Sequence, residues 1–526
     1  MEVPLSPLEF MRRSRRLHAT RLAVIDGTQH WTYAEFFDRC DRWSSALQLM
    51  GVGPGDRVAY IAPNTHAQLE SFYAVPQIGA VLVPLNYRLI GDDFRYLIQH
   101  SGAKVVCVDG DYLDAVDGIR PDLLGVAHFV ALTGAAGARQ SWLDYESLVA
   151  GATGHVTRPA IGERDLLTIN YTSGTTSRPK GVMITHRNAW VNSVGMLAHV
   201  PMSPADRYLW TVPMFHANGW TYTWTVTAAG ATHVCLRKVD AATVFQKATS
   251  EGITFLCAAP TVLIGLANAP DTLKAGVPKG VRVITGGAPP AAVTIQRIEE
   301  GLGWTVSQLY GLTETSPVIT FCEVRPEHEG LTASERARVK ARQGVELMTS
   351  GEVRVVTSDG AEVPWDGATV GEIVAQGNVV MAGYYNDPEA TARCMGDGWF
   401  HTGDAAVVHP DGYLEIRDRL KDVIISGGEN ISSVEVEAML LHHDAVQEAA
   451  VVGLPNEKWG EAPHAFVVFK TGHDATSEAL RLYCRERLAH FKVPHSFTPM
   501  AELPKTATGK IQKFVLRNGK PNISRQ

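Results

Sequence analysis

Between Thr172 and Gly181 the chain reads TSGTTSRPKG, which crowds hydroxyls at Thr172, Ser173, Thr175 and Thr176, glycines at Gly174 and Gly181, and a single ammonium at Lys180. Glycine lets backbone N–H groups turn inward and approach a guest closely, hydroxyls add donors, and lysine supplies a mobile point charge. Such a lining suits a chain of phosphates. The Walker spacing G-x-x-x-x-G-K-[ST] is not met, because Pro179 precedes Lys180 and Gly181 follows it. A bare S-G-T-T would more often be a solvated turn; the continuation through Pro-Lys-Gly is what favours a binding role.

The elements around this loop must hold it. DLLTINYT ahead of it has the texture of a strand, and ITHRNAWVNSVGMLAHV behind it reads as a helix with Thr185 as N-cap. A strand–turn–helix unit with an anion nest is therefore expected. Short apolar runs recur at RVAYIAP, AVLVPLN, KVVCVD, ITFLCAAP and VRVITGGAP, the pattern of strands covered on both faces, so the fold class is α/β with mixed sheets flanked by helices. After Gly351 shorter alternating strands predict a small antiparallel subdomain. SSVEVEAMLLHH, VQEAAVVGL, HAFVVFK and SEALRLYCRERLAH then give a helix, two strands and a helix, enough for a small α+β domain. The expected division is residues 1–418, a hinge at 419–422, and a mobile C-terminal domain at 423–526.

At 526 residues the chain is long enough for more than one core, and 45% hydrophobic with 20% charged residues is ordinary globular usage. A net charge of -7 argues against general electrostatic binding of nucleic acid. Seven scattered cysteines without a C-x-x-C pair suggest neither a disulfide framework nor a zinc cluster, and favour a reducing, cytoplasmic setting. The RRSRR near the start follows rather than precedes apolar residues, so the first twenty residues read as a short surface helix rather than a secretory signal. No apolar run reaches the about 20 residues that span a bilayer.

YTSGTTSRPKG resembles the phosphate-binding signature of the adenylate-forming superfamily, in its acyl-CoA synthetase branch. YGLTET from Tyr310, WFHTGD from Trp399, DRLKDVIISGGENIS from Asp418 and PKTATGK ending at Lys510 are similar to that family's later motifs, in the same order. The resemblance implies activation of a carboxylic acid with ATP and Mg²⁺ to an acyl-adenylate, then transfer to CoA. It implies that Tyr310 packs on adenine beside Gly311, that Thr313 donates to the α-phosphate, and that Glu314, with Thr175, holds the metal. Gly286, Gly287, Ala288 and Pro289 would border adenine and the acyl pocket. Asp404 would accept the ribose hydroxyls with Arg419 assisting, and Lys510 would bridge carboxylate and α-phosphate. Lys421 falls at the hinge position, and Gly427, Gly428, Glu429 and Asn430 would line the CoA tunnel. Ser177 stands where the signature commonly has glycine.

VPMFHANGWTYTW resembles the acyl-pocket segment of the family, with His216 and Trp220 on the pocket wall and Trp224 in the core. No aspartate follows Phe215 to pair with an ammonium, which favours a fatty or aryl acid over an amino acid. The similarity of Trp220 to a tunnel-gating tryptophan implies a medium-chain or longer aliphatic acid, with a short-chain or aryl acid, or loading of a carrier protein, as alternatives. A catalytically silent nucleotide-binding scaffold is the reading from another class. Partners are expected to be small molecules, with no nucleic acid and a homodimer left open.

Overall fold

Buried residues of the central strands alternate between two cores, and the alternation decides the layering. In Arg57–Ile61, Val58 and Tyr60 join one apolar cluster while Ala59 and Ile61 join another, and Ala103–Val108 divides in the same way. A strand covered on both faces belongs inside a parallel sheet flanked by helices. A computed structural model describes residues 1–132, 139, 141–172, 178–426, 429–456, 458–506 and 509–519, with Asn430 described by its backbone. In it Leu166–Thr172, Val81–Leu85, Arg57–Ile61, Ala103–Val108, His128–Ala131 and Leu143–Asp144 run parallel, in that order. A second large sheet aligns Thr305–Gly311, Arg282–Thr285, Phe255–Ala258, Arg207–Leu209, Thr232–Val234 and Leu22–Asp26 in parallel, with antiparallel strands at both ends.

The largest core lies between the two sheets and includes Tyr60, Leu82, Tyr208 and Phe255 from strands and Trp43, Phe72 and Trp224 from helices. The helix Tyr33–Leu49 shows why. Thr32 and Glu35 cap it reciprocally, and Phe36, Phe37, Cys40, Trp43 and Leu47 recur at helical spacing to face inward. Each large apolar side chain so buried contributes about 1.5–3 kcal/mol. Trp43 also donates its indole N–H to the Tyr60 hydroxyl at 2.7 Å. The N-terminal helix Leu8–Leu17 lies at the surface as expected, anchored by buried Phe10 and Met11.

Glu352–Val356, Gly371–Gln376, Phe400–Val408 and Leu414–Arg419 form the antiparallel sheet foreseen after Gly351. Beyond Arg419 the chain turns and enters a further sheet, Glu429–Ile431, Ile424–Ser426, Gly460–Phe469 and Val446–Asn456, with Ser496–Pro499 beside Gly460–Phe469. Ile424, Ile431, Val436, Leu440, Val451 and Leu480 give this unit its own core. Contacts with the hairpin's end and the turn after it hold this unit, among them the Ser433 backbone N–H donated to Asp418 at 2.8 Å and the pairing of Arg517 with Asp422 at 2.6 Å.

Three local expectations need correction. The nucleotide loop joins two antiparallel strands, because Lys180–Thr185 pairs with Leu166–Thr172 before the helix His186–His199 begins. Val182 and Ile184 are β-branched and bury one face of a pleated strand, so a strand stands between the loop and the helix. Thr185 is the N-cap as expected, accepting from the Asn188 N–H. VVHPDGYLEI, which in the sequence reads as one strand with Asp404 and Arg419 on either side of it, is a hairpin, since the turn at its Pro-Asp-Gly separates Phe400–Val408 from Leu414–Arg419. The helix expected over SEALRLYCRERLAH ends at Arg485. No helix among the described residues is long and apolar enough to cross a membrane.

Candidate active site

Lys510 comes from the C-terminal unit and ends among N-terminal residues. Thr506 donates its N–H to the Lys510 carbonyl at 2.7 Å, and its hydroxyl accepts from the Lys510 N–H at 3.1 Å. Gly509, at φ +82°, sits so close to the helix Pro260–Ala267 that a β-carbon there would collide with the Thr261 hydroxyl. Glycine is needed both for the conformation and for the approach. The lysine side chain then reaches Gly287: a β-carbon on Gly287 would stand 3.8 Å from the Lys510 Cε and 3.6 Å from the Trp220 ring.

The charges around this point are strongly coupled. Burial, with help from Arg419, pushes the Lys510 amine down to about 8, against the opposing pull of Asp404 and Glu314. Burial, and then the Lys510 charge, hold His216 down to about 3, so its imidazole is neutral. Asp404 is 5% exposed. Burial raises its carboxyl above the ordinary value while Arg419, Tyr310 and Lys510 pull against it.

Asp404 and Arg419 are direct cross-strand partners in the hairpin, and Arg419 Nε lies 3.3 Å from Asp404 Oδ1. Tyr310 donates its hydroxyl to Asp404 Oδ2 at 2.8 Å. Gly286 lets the Tyr310 strand close over its neighbour, since a β-carbon there would stand 2.9 Å from the Leu309 carbonyl oxygen. Gly287, Ala288 and Pro289 follow, partly exposed, and Gly311 allows the Pro317 backbone to pack against it.

Glu314 belongs to the 3-10 turn Thr313–Thr315, where the Thr315 hydroxyl accepts from Leu312 N–H at 2.9 Å and donates to the Pro317 carbonyl at 2.7 Å. Thr313 is buried in the same turn. Tyr384 donates its hydroxyl to Glu314 Oε1 at 2.9 Å, and the Lys180 ammonium lies 4.7 Å from the centre of the same ring. Tyr384 thus joins the loop lysine to the acid. Gly181 permits this, because a β-carbon would stand 2.8 Å from Ile169 Cγ2. The Thr172 hydroxyl, across the hairpin, lies 3.5 Å from the Lys180 carbonyl oxygen.

Trp220 is positioned by an uncommon backbone. Ala217, Asn218, Gly219, Trp220 and Thr221 all have positive φ, between 43° and 67°. Left-handed conformation costs L-residues roughly 1–2 kcal/mol each, so tertiary contacts must hold the turn. Trp210 packs so tightly on Gly219 that any side chain there would overlap it. Trp220 is buried at 4% exposure, and Trp224 lies in the core.

The structure therefore gathers Lys510, Asp404, Arg419, Tyr310, Glu314, His216, Trp220 and Gly287 around one region, with Lys180 beside Glu314. Lys421 lies in the exposed turn after Arg419, its amine lowered by burial and by Arg419. Glu429 is exposed on the short strand Glu429–Ile431. Ser173, Gly174, Thr175, Thr176, Ser177, Gly427, Gly428 and the Asn430 side chain lie outside the described residues. Sequence reasoning missed Tyr384 and Thr261. Neither sits in a motif of chemical residues, and only the pairing of Gly383–Tyr384 with Lys180–Thr185 brings that tyrosine to the loop.

This arrangement, an acid and an arginine facing each other on one hairpin, a lysine carried in from a separate unit, and a strand pair that leads into and out of the glycine-hydroxyl segment, defines a nucleotide-dependent enzyme of the α/β class. Residues 11–385 match the AMP-binding enzyme family and residues 435–510 match the AMP-binding enzyme C-terminal domain. The chain belongs to the AMP-binding enzyme family. It is 41% identical over 520 residues to 4-hydroxybutyrate–CoA ligase 2 of Metallosphaera sedula, covering 98% of this chain and 94% of that protein. It is also 41% identical over 538 residues to the peroxisomal acetate/butyrate–CoA ligase AAE7 of Arabidopsis thaliana, with 98% and 94% coverage. The crystal structure of ATP-bound MatB from Rhodopseudomonas palustris superposes with a TM-score of 0.84 at 28% identity, covering 99% of this chain and all of that one, 100%.

Proposed function

We propose that this enzyme is an acid–CoA ligase that makes an acyl-adenylate from a short- to medium-chain aliphatic carboxylic acid and ATP, then passes the acyl group to CoA. The observation that carries the reading is the placement of Lys510 between the acid-lined nucleotide side, Asp404 and Glu314, and the apolar wall of Gly287 and Trp220. A carboxylate and a polyphosphate are both anions, and a lysine at their junction lowers the cost of bringing them together.

Asp404 would accept the ribose hydroxyls, with Arg419 holding its orientation, and Lys180 and Thr172 would face the phosphates. Among the described residues there is no group of three or more His, Cys, Asp or Glu that could hold a metal. Mg²⁺ is commonly held by one or two carboxylates together with substrate phosphates, so Glu314 fits that ion. The metal would neutralise phosphate charge there. Tyr384 keeps the Glu314 carboxylate aimed through its hydrogen bond. His216, neutral beside Lys510, adds no competing charge at the acyl carboxylate.

We place shorter acids before the longer ones suggested by the tunnel-gate resemblance. The Trp220 ring is buried beside Gly287, where a bulky aromatic narrows the space for an acyl chain, and the named relatives act on acetate, butyrate and 4-hydroxybutyrate. For the second half-reaction, residues 419–422 would act as the hinge, with Lys421 in it, and the Glu429 strand would face the incoming thiol. Cytoplasmic residence is part of this reading, supported by seven cysteines without a disulfide. The test is a screen of pyrophosphate release over aliphatic acids of graded length, with benzoate included, followed by thioester detection when CoA is added. Release with short acids and thioester only with CoA is expected; no response to any acid would overturn the proposal.

A further inference from the structure

Behind the left-handed turn lies a closed ring of three polar side chains. The Thr168 hydroxyl donates to Asn170 Oδ1 at 2.7 Å, the Asn170 amide donates to Asn218 Oδ1 at 3.0 Å, and the Asn218 amide donates back to the Thr168 hydroxyl at 3.0 Å. Every donor finds an acceptor in one direction around the ring. Thr168, Asn170 and Asn218 are buried, at 0%, 1% and 1% exposure. The ring also grips the flanking backbone: the Asn170 amide lies 3.3 Å from the Phe215 carbonyl oxygen, and the Thr223 hydroxyl donates to the Asn218 carbonyl at 3.1 Å. A satisfied network of this kind rigidifies what it holds, while breaking one link strands two buried polar groups.

Two members of the ring lie on Leu166–Thr172, the strand that leads into the nucleotide loop, and Thr168, Asn170 and Thr172 share one face because strand side chains alternate. The third lies in the turn that carries Trp220, two residues away. We propose that Thr168, Asn170 and Asn218 are specificity-positioning residues: their ring locks the left-handed turn to the nucleotide strand and so fixes where Trp220 closes the acyl pocket relative to Lys510. The inference rests on the acid–CoA ligase reading.

The test uses the full-length enzyme and three variants. Asn218→Gly removes the side chain at φ 56° while leaving a residue that adopts this conformation without strain. Thr168→Val removes the hydroxyl at similar shape, and Thr168→Ser keeps it. For each, kcat/KM is measured by pyrophosphate release for straight-chain acids from acetate to octanoate, together with the KM for ATP. The expected result is that Asn218→Gly and Thr168→Val lower the butyrate-to-octanoate ratio of kcat/KM by at least about ten-fold, the scale on which a pocket discriminates methylenes. Thr168→Ser retains the wild-type ratio, and the KM for ATP changes by less than about three-fold throughout. An unchanged ratio in both ring-breaking variants, or an equal loss at every chain length, would overturn the proposal. If Asn218→Gly does not fold, Thr168→Val against Thr168→Ser decides by the same ratio. Wild-type silence toward every acid would remove the ligase reading and this inference with it, an outcome distinct from an active enzyme with an unchanged profile.

Discussion

The depressed amine of Lys510 predicts a pH dependence that can be worked through. Its value of about 8 lies well below that of a free lysine, near 10.5, because burial and Arg419 disfavour the charged form. The charged form is the one that attracts carboxylate and phosphate, so activity belongs to the protonated side. At pH 7 about nine-tenths of the enzyme carries the charge, and at pH 9 only about one-tenth does, whereas an ordinary lysine would still be almost fully charged. The value of kcat/KM reports groups on the free enzyme, so for acyl-adenylate formation it should hold a plateau to about pH 7.5 and fall roughly ten-fold by pH 9. His216, at about 3, leaves the neutral range undisturbed. Replacing Lys510 with Arg, which stays charged, should abolish the alkaline fall even though the plateau drops, because a planar guanidinium does not fit a point-charge site. Lys510→Met should lower the plateau by about 10² to 10³, consistent with about 4 kcal/mol for a unit charge pair at 4 Å and an effective dielectric of 20. The assay is continuous pyrophosphate release under subsaturating acid. A rate that stays level to pH 9, or an alkaline fall that persists in Lys510→Arg, would refute the argument.

Asp404→Ala should raise the KM for ATP by at least about ten-fold and weaken the binding of supplied acyl-adenylate as well, since both carry the ribose whose acceptor Tyr310 and Arg419 hold in place; single-turnover kinetics measure each half-reaction. Tyr384→Phe should cost about ten- to hundred-fold in kcat for adenylation, the scale of one hydrogen bond to a charged group, with melting temperature little changed. Gly509→Ala places a side chain at φ +82° against the Thr261 hydroxyl, so adenylation should fall more than thioester formation. Equal loss in both half-reactions would contradict that docking.

Much of this architecture was legible in the sequence because it depends on local pattern. The double-faced runs such as RVAYIAP and KVVCVD became parallel strands, and Thr185 capped its helix, since both follow from apolar periodicity and side-chain chemistry. The residues that the structure gathers were legible where they stand in motifs, as Tyr310 and Glu314 do in YGLTET and Arg419 does in DRLKD. What was not legible depends on partners distant in the chain. Asp404 and Arg419 face each other because a Pro-Asp-Gly turn folds one apparent strand back on itself. Tyr384 reaches Glu314 only through strand pairing. The left-handed turn at Ala217–Thr221 is announced only by its Asn218-Gly219 pair; the positive φ of Ala217, Trp220 and Thr221 has no signal in the sequence. Buried amides from another strand overrule the intrinsic preference there.

The most direct measurement is a single-turnover reaction of the purified enzyme with ATP, Mg²⁺ and butyrate in the absence of CoA, resolved by mass. The account predicts butyryl-AMP and pyrophosphate in equal amounts, with their formation slowed by at least about 10² in Lys510→Met. Formation of ADP and phosphate, or butyryl-AMP made at an undiminished rate by Lys510→Met, would contradict it.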